Sequence, residues 1–208
     1  MKIKICGVRR PHDVVACLDA GVDLVGLNFA PRSKRRLERT VGQQLAAMLP
    51  ASVGVAVFQD ASVETVLETL AETGLTIAQI HGVASRAMLE QIGEQATVIR
   101  ALAGADAQEA AVVGPVVDAF LLDGPRPGSG TPWRWASTVG SQLSGRPVFV
   151  AGGLSPANVG AAIRQLRPSG VDVASGVEGP DGQMDSRRVR AFAAAARAAA
   201  ANIRAEVM

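Results

Sequence analysis

The sequence predicts an α/β fold, a single-domain (β/α)8 or TIM barrel, on three observations. Short apolar, β-branched runs recur along its 208 residues. A helical pattern fills each gap between them. The runs lie about twenty to thirty residues apart, one βα unit at a time. Candidate strands fall at residues 2–6, 23–29, 53–58, 76–81, 97–102, 116–122, 147–151 and 171–174. Several are nearly continuous apolar runs, the pattern of parallel strands covered on both faces. Helical patterns occupy 11–20, 40–49, 62–73, 85–93, 105–113, 133–143, 156–166 and 186–204. Ser155-Pro156 puts proline at a first helical position, and Gly21 and Gly74 stand where a helix should stop. An open doubly wound sheet would satisfy the same alternation. However, Cys6-Gly7-Val8-Arg9 follows the first strand where a dinucleotide fold would carry G-x-G-x-x-G.

Composition narrows the function classes. At this length roughly 70% of the unfolded chain's surface can be buried, so stability requires neither disulfide nor structural metal. Aromatic residues make up only 3% and tyrosine is missing, which argues against a base-stacking nucleic-acid binder. A net charge of +2 offers no broad field for a polyanion. Two cysteines, Cys6 and Cys17, make no disulfide framework and have no metal-ligand spacing. Met1 runs directly into Lys2-Ile3-Lys4-Ile5, leaving no room for a signal peptide, and the Ala-rich tail is interrupted by Arg197 and Arg204. The expectation is one cytoplasmic domain spanning 1–208, with no membrane or nucleic-acid partner.

A barrel places its site at the C-terminal ends of its strands. Cys6, Asn28, Gln79, His81, Arg100, Asp123, Asp172 and Ser175 end strands or lie near their ends. Cys17, on the first helix, reads as a small core residue. Cys6 sits where the backbone opens at the rim; a free thiol has a pKa of about 8.5, and a nearby cation or helix N-terminus would raise its thiolate fraction. Asp123 precedes Gly124-Pro125 and suits a turn cap as well as a general acid, which would need a desolvated site. Taken singly, either residue is more often structural than catalytic. His81 has only His12 for company, so a hydrogen-bonded rim histidine is favoured over a metal ligand. Arg35, in the long loop after the second strand, is either a solvated charge or a carboxylate clamp.

The glycines carry a further signal. Gly152-Gly153 follow the strand at 147–151, and Ser175-Gly176 follow the last strand. Glycine lets backbone amides approach an anion, and barrels frequently bind phosphate between the last two βα loops. Gly128-Ser129-Gly130 would add amides from the loop before.

With these residues in place the sequence resembles the phosphoribosylanthranilate isomerase family of tryptophan biosynthesis. The match runs through Lys4-Ile5-Cys6-Gly7, Gly26-Leu27-Asn28-Phe29, Ser33-Lys34-Arg35, Gln79-Ile80-His81-Gly82 and Leu122-Asp123. It continues through Gly128-Ser129-Gly130, Ala151-Gly152-Gly153-Leu154 and Val171-Asp172-Val173-Ala174-Ser175-Gly176-Val177-Glu178. The resemblance implies an Amadori rearrangement without cofactor or metal, with Cys6 as general base and Asp123 as general acid. It implies Arg35 on the anthranilate carboxylate and Asp172, Gln79 and His81 as substrate-binding residues. Phosphate would be held at Gly128, Gly130, Gly152, Gly153, Ser175 and Gly176. The partner is then a small phosphosugar, and the protein a monomer or weak homodimer. The segment Gly124-Pro125-Arg126-Pro127 is shorter than in many relatives, and Thr131 and Trp133-Arg134-Trp135 depart from the usual pattern.

Two other enzyme readings fit less well. The related histidine-pathway isomerase would carry aspartate in place of Cys6, and a metal-dependent pentose epimerase would need several metal ligands. A phosphosugar-binding barrel without catalysis would require neither Cys6 nor Asp123.

Overall fold

The structure, a computed structural model, describes residues 1–103, 106–124 and 142–207. Strands β1 (Lys2–Cys6), β2 (Leu24–Asn28), β3 (Gly54–Gln59), β4 (Ile77–His81), β5 (Thr97–Ala103) and β6 (Ala119–Asp123) pair in parallel in that order. A short β7 (Gln142–Leu143) precedes β8 (Arg146–Val150) and β9 (Gly170–Val173). β6 pairs with β8, β8 with β9 and β9 with β1, so eight parallel strands close into a barrel. Closure decides against the open sheet.

Helices α1 (Pro11–Asp19), α2 (Arg39–Ala46), α3 (Val63–Thr73), α4 (Arg86–Gly93), α5 (Ala107–Val113), α6 (Val159–Leu166) and α7 (Ser186–Val207) lie between or after the strands. Their ends follow local chemistry. Ser62 and Ser85 accept hydrogen bonds from the Thr65 and Met88 amides, each 3.2 Å. Gly74 ends α3 in the left-handed conformation at φ 70°. No helix among the described residues is long and apolar enough to cross a membrane.

Two apolar layers hold the barrel. Ile3, Ile5, Val25, Leu27, Val171 and Val173 face outward onto the helices and share one core with Cys17, Leu45, Leu70, Leu89 and Phe192. Val55, Val57, Ile77, Ile99, Leu121 and Phe149 fill the interior. Gly170 leaves room for the Phe149 ring, since a Cβ there would lie 2.4 Å from it. Alternation therefore turns Lys4 and Cys6 of β1 inward, alternating with the outward Ile3 and Ile5.

Three local expectations need correction. The strand expected at 116–122 begins at Ala119, because Gly114–Val116 forms a 3-10 turn around Pro115. The helix expected from Pro156 begins at Val159; the preceding turn is closed by Asn158, whose Oδ1 accepts from the Ser155 amide at 2.7 Å. The helix expected at 133–143 lies mostly outside the described residues, and its last two, Gln142 and Leu143, are strand. They pair antiparallel with β8 through Ser144 and Gly145, both with positive φ, as a two-residue hairpin requires.

Candidate active site

A cavity of about 390 Å³ opens at the C-terminal mouth of the barrel. Cys6, Arg35, Gln79, His81, Asp123 and Asp172 all line it, as does Asn28. Beside it lies a pouch of about 50 Å³ lined by Gly152, Gly153, Ser175 and again Asp123 and Asp172. Six expected site residues from five segments of the chain thus meet in one space. Gly128 and Gly130 lie outside the described residues.

Arg100 is a correction. Ile99 and Ala101 point into the barrel, so Arg100 points outward and does not reach the rim. Its guanidinium donates to the Ile80 carbonyl at 3.0 Å and the Gly82 carbonyl at 2.6 Å, and it pairs with Glu109. It braces the chain on either side of His81.

Below Cys6 on the inward face of β1 lies a residue absent from the sequence-based site. Lys4 is wholly buried, and its ammonium donates to Asp172 Oδ1 at 2.9 Å. β1 and β9 place the two side by side in register. Burial opposes the Lys4 charge, but Asp172 and the Cys6 sulfur outweigh it and hold the ammonium above the ordinary lysine value. The signal was available: a lysine at an inward position of a central strand must have a buried partner.

Cys6 lines the cavity while almost fully buried. Burial pushes its thiol up; Lys4 and, more weakly, Arg35 pull it down, and Asp172 opposes them. The expected cations are present, yet burial prevails. Cys17 behaves as a core residue, its thiol pushed up to about 12 by burial and by Asp13. His81 is pushed down to about 4 by burial and by the Lys4 and Arg100 charges, so its ring is neutral at pH 7. Its Nε2 meets the Gln79 amide nitrogen; with that amide donating, the ring proton sits on Nδ1. The Asp123 carboxylate accepts from the Gly124 amide at 2.7 Å.

Arg35 is positioned by its loop and by the far end of the chain. Ser33 Oγ accepts from the Arg35 amide, and the Leu37 amide returns to the Asn28 carbonyl. The Arg35 side chain passes over Gly7, where a Cβ would lie 2.2 Å from Cδ. Its Nε donates to Glu178 Oε1 at 2.6 Å, whereas its buried Nη2 meets no partner. One nitrogen of the guanidinium is anchored and another is left without a partner.

Two glycines shape one side of the pouch. Gly152 and Gly153 adopt φ of 85° and 67°, conformations that favour glycine. Among the described residues, the amides of Gly152, Gly153, Ser175 and Gly176 meet no backbone carbonyl. Gly176 itself packs against the neighbouring loop: a Cβ there would lie 1.9 Å from the Leu154 oxygen. Among the described residues no group of three His, Cys, Asp or Glu side chains is placed to hold a metal ion.

Residues 3–195 match the family model for N-(5'-phosphoribosyl)anthranilate (PRA) isomerase. The chain belongs to the PRA isomerase family. It is 41% identical over 207 residues to the N-(5'-phosphoribosyl)anthranilate isomerase of Myxococcus xanthus, covering 95% of this chain and 96% of that one. The crystal structure of phosphoribosyl anthranilate isomerase from Thermus thermophilus superposes with a TM-score of 0.85 at 34% identity, covering 95% and 99% of the two chains. Another PRA isomerase structure, in complex with reduced 1-(o-carboxyphenylamino)-1-deoxyribulose 5-phosphate, gives 0.83 at 29% identity over the same shares.

Proposed function

We propose that Cys6 and Asp123 carry the proton transfers of an Amadori rearrangement in this cavity. The chain is an aldose–ketose isomerase of tryptophan biosynthesis. It converts N-(5'-phosphoribosyl)anthranilate to 1-(2-carboxyphenylamino)-1-deoxyribulose 5-phosphate. Asp123 protonates the ribose ring oxygen, and the bond from that oxygen to C1 breaks as the anilino nitrogen supplies its electron pair. The product is an open-chain Schiff base. The Cys6 thiolate then takes the proton from C2, and the C–H electrons form the C1–C2 double bond of an enolamine. The Cys6 thiol returns its proton to C1 as the Asp123 carboxylate takes the C2 hydroxyl proton, and the O–H electrons form the C2 carbonyl of the ketone. Each turnover returns both groups to their starting state, so no cofactor is consumed.

The single observation that carries this reading is that Cys6 and Asp123 both line one cavity, with Arg35 in its wall and the amide pouch opening beside Asp123. A sugar whose phosphate enters the pouch can reach toward Arg35 with its aromatic carboxylate. The unpartnered Arg35 Nη2 supports that assignment. Gly152, Gly153 and Ser175, which line the pouch, support the phosphate end, with Gly176 beside them and Asp172, Gln79 and His81 along the sugar. Loss of substrate fluorescence provides the assay. Cys6→Ser and Asp123→Asn should each lose about 10²–10⁴-fold in kcat. Wild-type protein without turnover would overturn the reaction; variants at full rate would overturn the roles.

A further inference from the structure

We propose that Lys4 is a positioning residue for this reaction, its buried ammonium, held by Asp172, stabilising the Cys6 thiolate from the floor of the barrel. The proposal rests on the reading of Cys6 as the base. Lys4 and Cys6 are alternate residues of β1 and share its inward face. Two residues of strand separate their Cα atoms by about 6.6 Å. The ammonium donates to Asp172 Oδ1 at 2.9 Å and is wholly out of water. Only two of its three donors remain, and the neighbouring inward side chain is the thiol.

An ion pair buried on a barrel axis calls for a reason. Replacing such a pair with well-packed apolar residues commonly leaves stability unchanged or improved. The sulfur supplies the reason. A thiol taken out of water resists ionisation, and burial is the largest influence on Cys6. Lys4 and Asp172 lie below it, and Arg35 lies in the wall with its charge matched by Glu178 at 2.6 Å. Arg32 and Lys34 also line the cavity, but their side chains are exposed and pair with Asp60 and Glu178. His81 from β4 is neutral at pH 7, and Asp123 faces the same cavity from β6. Of these, Lys4 exerts the strongest pull toward thiolate, while Asp172 pushes the other way. The two members of one ion pair therefore act on Cys6 with opposite sign.

That opposition makes the test directional. The pH dependence of Cys6 alkylation by iodoacetamide, read on its peptide by mass spectrometry, reports thiolate without requiring turnover. Cys17, buried in the helix layer, serves as an internal control. Lys4→Met should raise the Cys6 midpoint by about one to two pH units, and Lys4→Arg should hold it to within about half a unit of wild type. Asp172→Asn should lower it. If Lys4→Met leaves Asp172 uncompensated and does not fold, the Lys4→Met/Asp172→Asn double variant removes both charges. Its midpoint should still lie above wild type. A folded Lys4→Met or double variant with an unchanged midpoint would overturn the proposal, as would a Lys4→Arg shift equal to that of Lys4→Met. Either result would leave the Cys6→Ser activity test to stand by itself.

Discussion

Gly26 is glycine because the Cys6 side chain occupies its space. The two residues are paired across β1 and β2, and a Cβ on Gly26 would lie 2.8 Å from Cys6 Sγ and 3.1 Å from Cys6 Cα. A methyl group there must drive the sulfur toward another rotamer or part the strands. Gly26→Ala should therefore fold, with kcat reduced on the order of 10²-fold, because small misplacements of a reacting group are costly. Circular dichroism with steady-state kinetics checks this. An Ala variant at wild-type rate would mean that the sulfur's position is not critical.

Glu178 should control affinity more than turnover. It holds Arg35 Nε at 2.6 Å while the buried Arg35 Nη2 has no partner. Glu178→Gln removes the charge that fixes the guanidinium plane but leaves Cys6 and Asp123 in place. KM should rise about tenfold, with kcat changed by less than about threefold, the pattern of lost uniform binding. A kcat loss larger than the KM change would move Glu178 into the proton-transfer machinery.

Gly176 joins two loops more tightly than any side chain allows. Its would-be Cβ meets the Leu154 oxygen at 1.9 Å and Ser155 Cα at 3.0 Å. Backbone cannot yield as a flexible side chain does, so Gly176→Ala must separate the two loops that form the pouch. The expected cost is about 1–3 kcal/mol of stability. Inhibition by inorganic phosphate should weaken in parallel. Unchanged phosphate inhibition in a destabilised variant would place the anion elsewhere.

Much of this was legible in the chain because it is local. The alternation Lys2-Ile3-Lys4-Ile5-Cys6 reads directly as β1, and the strand-to-loop junctions at Cys6, His81 and Asp123 fall where the structure ends those strands. What the sequence concealed depends on direction or distance. Both faces of a barrel strand are buried, so a run such as Val98-Ile99-Arg100-Ala101 does not announce which parity points inward, and the outward direction of Arg100 is not readable from it. Lys4 gains its meaning only when β9 closes on β1 and brings Asp172 beside it, 168 residues away in sequence. Ser155-Pro156 carries helix-start chemistry, yet Asn158 folds back on Ser155 and delays the helix by one turn. Side-chain hydrogen bonds of this kind compete with the helix and are invisible to periodicity.

His81 makes the fold sensitive to mild acid. Its ring is neutral in the folded protein, pushed down to about 4 by burial and by the Lys4 and Arg100 charges, whereas an unfolded histidine titrates at about 6.5. As pH falls below about 6.5 the unfolded chain takes up a proton that the folded chain refuses until about 4. Stability is therefore fully present above about 6.5 and is lost progressively down to about 4. His81 as a whole residue keeps some exposure, which discounts the loss to about 2 kcal/mol. Denaturant unfolding at pH 7 and pH 4.5 measures it, and His81→Asn isolates the histidine from the carboxylates titrating in the same range. The variant should lose less stability over that interval than wild type. Equal slopes would mean that protonated His81 finds an acceptor in the cavity and keeps its charge at little cost.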